Sequence, residues 1–100
     1  MSSSDKKITV ENVNVSGSTT RVNKAMYDAM KQAMWAVLPA TAPGLTQTEM
    51  REVVVPHLAE ELFPAGTKAG WWVKAAQLDL EAKGALVREA TKPLRWHRAA

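Results

Sequence analysis

One hundred residues make one domain with a core of modest size, and 46% apolar with 23% charged residues is the composition of a soluble globular chain. The absence of cysteine excludes disulfides, thiolate nucleophiles and cysteine-built zinc sites and fits a reducing cytoplasm. Net charge is +3 but unevenly placed: residues 66–100 carry seven basic against three acidic groups, and residues 1–65 six against seven.

The first residues, Met1-Ser2-Ser3-Ser4-Asp5-Lys6-Lys7, have no apolar stretch behind them, so no signal peptide is expected. Residues 1–6 read as a disordered tail and 7–100 as a single domain. No apolar run approaches the roughly 20 residues of a transmembrane helix, and no membrane partner is expected. Ile8, Thr9 and Val10 begin a strand pattern that Val13 and Val15 continue in opposite phase, which predicts a bulge near Glu11-Asn12. Ser16-Gly17-Ser18 is a turn, and Thr19 to Val22 is the return strand.

Asn23 caps a helix from Lys24 to Leu38, with Val22 and Tyr27 spaced as a hydrophobic staple and Pro39 ending it. Met26, Tyr27, Met30, Met34, Val37 and Leu38 form one stripe, read as core. Trp35 lies off that stripe: it is either an exposed protein-contact residue or covered by the first hairpin. After a Pro43-Gly44 turn, Thr46-Gln47-Thr48-Glu49 is a capping box that starts a second helix with Met50, Val53, Val54 and Leu58 inward. Pro56 predicts a break near Val55.

The third helix runs from Thr67, as its cap, to Lys83, with Gly84 behind it as the stop. At about 100° per residue, Trp72, Val73, Ala76 and Leu80 share one face and Trp71, Ala75, Leu78 and Ala82 a second. Gly70, Lys74, Gln77 and Glu81 fall on the strip left to water. Two apolar stripes predict a central helix covered on two sides, by the first hairpin or a second copy of the chain. Beyond Gly84 the period becomes two: Leu86 to Ala90 and Leu94 to Arg98 read as strands joined by Thr91-Lys92-Pro93. The order is hairpin, helix, helix, helix, hairpin.

Leu80-Glu81-Ala82-Lys83-Gly84 followed by Leu86-Val87-Arg88 resembles the join between recognition helix and wing in bacterial winged-helix domains. The whole chain also resembles a family of small uncharacterised bacterial proteins, through Lys68-Ala69-Gly70-Trp71-Trp72 and Gln77-Leu78-Asp79-Leu80-Glu81-Ala82-Lys83. The expected fold is therefore α+β: a winged-helix-like three-helix domain with a C-terminal β-hairpin wing and an added N-terminal β-hairpin.

Parts for catalysis are missing. His57 and Glu61 are spaced to share a helix face, but a metal site needs three or more convergent ligands. His97 sits among arginines and reads as a surface residue. Ser16 and Ser18 have no base nearby, and the glycines follow no phosphate-loop pattern. No enzyme, metal or cofactor is expected, which leaves binding. Nucleic acid comes first, drawn to the basic C-terminal third. The winged-helix resemblance implies contacts from Lys68, Lys74 and Gln77 on the helix and from Lys92, Arg95 and Arg98 on the wing. Glu81 on the same strip opposes this. Trp71 and Trp96 offer stacking faces for unpaired bases. The alternative is a protein-interaction module or homodimer that uses Trp35 and Trp71.

Overall fold

The computed structural model describes residues 7–12, 14, 15, 17 and 19–99. The expected tail, residues 1–6, lies outside them, as do Val13, Ser16 and Ser18 of the first connection. Strands β1 (Lys7–Glu11) and β2 (Thr19–Asn23) pair antiparallel in an unbroken register, Lys7 opposite Asn23 and Glu11 opposite Thr19. The expected bulge is replaced by a strand end. The N–H of Glu11 donates instead to Asp79 Oδ1 at 2.8 Å.

Helix α1 (Lys24–Val37) starts where the Asn23 side chain accepts the N–H of Met26 at 3.0 Å. Its inward face buries Tyr27, Met30, Ala33 and Met34, so the methionine stripe is core. Trp35, read as either an exposed contact or a covered residue, packs half-buried against that core. Helix α2 (Gln47–Val54) carries the full capping box: Glu49 N–H to Thr46 Oγ1 at 3.1 Å and Thr46 N–H to Glu49 Oε1 at 2.9 Å. It breaks at Pro56 into a 3-10 turn, Val55–His57. His57 and Glu61 therefore share no helix and are both exposed.

A tight turn, Pro64–Gly66, leads into α3 (Ala69–Ala82). Thr67 was expected as the cap. Its hydroxyl donates back to Pro64 O, and the helix begins later, with Lys68 at the capping position in the left-handed region (φ 64°). Helix α3 packs against α1, α2, β1 and β3 (Leu86–Glu89). Trp72, Val73, Ala76 and Leu80 are buried, and Trp72 meets Phe63 edge-on with ring centres 6.2 Å apart. Gly84 ends it at φ 76°, where Ala85 N–H reaches Leu80 O at 2.8 Å and Gly84 N–H reaches Glu81 O at 3.1 Å. These are the two bonds of a Schellman motif.

Strand β3 pairs antiparallel with β4 (Arg95–Arg98), Leu86 opposite Arg98. The loop between α1 and α2 closes the outer edge of β4. Leu45 and Trp96 exchange two backbone bonds at 2.8 Å, and Arg98 N–H reaches Pro39 O at 2.8 Å. The result is a mixed α+β fold with three helices and two small antiparallel sheets, built on one buried cluster that runs from Val10 to Trp96.

Candidate interaction surface

Two buried carboxylates decide which face of α3 remains open. Asp79 has no exposed surface. It accepts the Tyr27 hydroxyl, the Glu11 N–H at 2.8 Å and Lys83 Nζ at 2.9 Å. Burial first, and then the hydrogen bond to Asp79, push the Tyr27 phenol well above its ordinary pKa. On the other flank of the helix, the side chain of Glu81 is 7% exposed. It accepts Gln77 Nε2, Trp96 Nε1 at 2.8 Å, and Arg88 through Nε at 3.0 Å and Nη2 at 3.1 Å. The Arg88 guanidinium also lies 5.7 Å above the Trp96 ring. A charge this deep is tolerable only with such a set of partners. Asp79 thus fastens β1 to α3, and Glu81 fastens the β3–β4 sheet to it.

This arrangement corrects the expected polar strip. Gln77 is 3% exposed and donates to Glu81, the carboxylate that Trp96 and Arg88 of the C-terminal hairpin cover. Gly70 faces the Arg51 side chain, and Glu81 is neutralised rather than displayed. Of the four, only Lys74 is open to water. The open strip is the second apolar stripe. The first hairpin half-covers Ala75 and Leu78, while Ala82 stays exposed and Trp71 is 57% exposed. The Trp71 ring stands edge-on to Trp72 at 5.0 Å.

The remaining expected contacts separate into free and engaged groups. Lys68, Lys74 and Lys92 are exposed, without a partner among the described residues. Arg95, expected as a wing contact, is instead half-buried and donates to Gly44 O at 3.1 Å and Glu49 Oε1 at 3.2 Å. Arg98 donates through Nε to Leu38 O at 3.1 Å. Trp96 is buried and offers no stacking face. His97 is held between Glu89 Oε2 at 2.8 Å and Arg98 O at 2.9 Å. The bond to Glu89, then that to Arg98, raise its pKa.

Between the first hairpin and α3 runs an open groove lined mainly by Val10, Thr20, Val22, Trp71, Ala75 and Leu78. Its volume is about 130 Å³, below the ~300–1,000 Å³ of small-molecule sites. It suits a side chain, not a metabolite. Among the described residues no group of three metal-ligating side chains converges, and no helix is long and apolar enough to cross a membrane. Asp79 escaped the sequence reading, although one signal pointed to it. By angle it falls on neither apolar stripe nor the polar strip, so a carboxylate there stands between two covered faces.

Fold and surface together define a small α+β protein whose open face lies on its central helix. The chain belongs to a family of unknown function, DUF6958, which matches residues 7–96. Comparison with curated proteins and with solved structures gives no match.

Proposed function

We propose that this is a non-enzymatic binding protein that engages another polypeptide through the Trp71 face of α3. The observation that carries the reading is Trp71 itself, a 57% exposed tryptophan beside an apolar groove and between two free lysines. Tryptophan in such a setting is the residue type most often found anchoring interfaces. The backbone pairing of Leu45, which lies between α1 and α2, with Trp96 supports a winged-helix arrangement, with α3 as third helix and β3–β4 as wing. A duplex reader of that type needs polar side chains on the third helix, yet Gln77 and Glu81 are turned in against the wing. That favours polypeptide over duplex DNA.

A second reading, nucleic acid, draws on the free Lys68, Lys74 and Lys92, with Trp71 as a stacking face for an unpaired base. The two are separated by titrating labelled duplex and single-stranded oligonucleotides at several salt concentrations. The polypeptide reading expects no binding that tightens steeply at low salt. Tight binding that weakens steeply with salt, and weakens again in a Lys68→Ala, Lys74→Ala variant, replaces it with the nucleic-acid reading.

A further inference from the structure

Among the described residues, strand β2 has an open edge beside the Trp71 groove. The Glu11 N–H is turned away from β2 to Asp79. Glu11–Thr19 is thus a non-hydrogen-bonded pair, and by alternation along the ladder so is Thr9–Arg21. The N–H and C=O groups of Thr19 and Arg21 consequently point outward from β2. Among the described residues nothing bonds to them. The outer edge of β4, by contrast, is closed by Leu45. Strand β2 also supplies Thr20 and Val22 to the groove wall, opposite Trp71, Ala75 and Leu78 of α3.

Charge around this edge is mostly positive. Arg21 on β2 is exposed and has no partner among the described residues. Lys74 lies three residues after Trp71 on the same helix, and Lys68, at the cap of that helix, is exposed three residues before it. Among the described residues, Glu11, at the end of β1, is the one carboxylate lining the groove.

We propose that the β2 edge and the Trp71 groove together take an extended acidic peptide. Its backbone adds as a strand along Thr19 and Arg21, and one apolar side chain seats against Trp71, Ala75 and Leu78. Its carboxylates lie toward Arg21, Lys68 and Lys74. Backbone bonds supply affinity in such strand addition and the side-chain pocket supplies selectivity. The inference rests on the polypeptide reading of the Trp71 face. A second copy of the chain is the poorer occupant, since antiparallel self-pairing about the centre of β2 sets Arg21 against Arg21.

The test selects binders from a displayed library of random short peptides against the full chain. Selected peptides should carry an aliphatic or aromatic residue with Asp or Glu near it and should bind more weakly as salt rises. Trp71→Ala should lower their affinity on the order of tenfold or more. Trp71 is mostly exposed, so that variant keeps its fold, as circular dichroism will show. The bound peptide should slow hydrogen exchange at the Thr19 and Arg21 amides, and N-methylation of the peptide backbone should abolish binding. Peptides that need Trp71 but leave those amides exchanging as in the free protein overturn strand addition and leave the polypeptide reading standing. Selected peptides without carboxylates overturn the acidic ligand. If no peptide is selected, both fall. A concentration-dependent dimer that protects the same amides gives the edge to a second copy and overturns the proposal.

Discussion

Gly44 and Gly84 both hold positive φ, 87° and 76°, yet a methyl group meets different surroundings at each. At Gly84 a Cβ has open space, so Gly84→Ala should cost only the left-handed strain, about 1–2 kcal/mol. At Gly44 a Cβ would lie 2.0 Å from Trp96 O, so β4 must shift and its pairing with Leu45 must give way. Gly44→Ala should therefore destabilise clearly more than Gly84→Ala in urea denaturation, and equal losses would contradict the close approach. His97 provides a pH signature. As imidazolium it donates from both ring nitrogens, to Glu89 and to Arg98 O, and its folded pKa lies above the ordinary value. The folded state then holds the proton more tightly than the unfolded one. This contribution is full below about pH 6.5 and is lost as pH rises through the raised folded value. The denaturation midpoint should fall across that window. His97→Gln should flatten the trend, and an NMR titration of His97 checks the shift directly.

Helix α3 shows what sequence can and cannot convey about an element. Its buried face and glycine stop were legible, since helical period and the Schellman bonds depend only on neighbours in the chain. Leu80 is 2% exposed, and Leu80→Ala should cost ~2–5 kcal/mol. An unchanged denaturation midpoint would mean that this face packs against little. The polar strip was not legible. Period gives the angle of Gln77 and Glu81 but not which flank a distant hairpin covers, and Trp96 and Arg88 come from beyond the helix to cover that one. For the same reason Trp71, apolar and expected to be covered, is the residue left open. The helix start was misplaced because the turn at Ala65 and Lys68 adopts positive φ with non-glycine residues, which composition does not announce.

Over the whole molecule, four of the seven basic side chains of the C-terminal third are engaged by the fold. Lys83 pairs with Asp79, Arg88 with Glu81, and Arg95 with Glu49, while Arg98 is held by a backbone carbonyl. Lys68, Lys74 and Lys92 remain, so a count of basic residues along the chain overstates the number of side chains free to meet a polyanion. The carboxylate of Asp79 has a consequence for how the molecule comes apart. It ties β1, α1 and α3 at one point, and a two-stranded hairpin is marginal by itself. Lifting the hairpin away removes one partner of a buried charge and exposes the contact with Tyr27. The hairpin should therefore not peel off ahead of the helices. Wild type should melt as one cooperative unit, with calorimetric and van't Hoff enthalpies in agreement. Asp79→Ala leaves the Tyr27 hydroxyl and the Glu11 N–H without their acceptor, should cost ~1–3 kcal/mol, and should split the melt, the hairpin loosening before the helical core. Two resolved transitions already present in wild type would show that the first hairpin is an appendage, with its own stability and its own melting point.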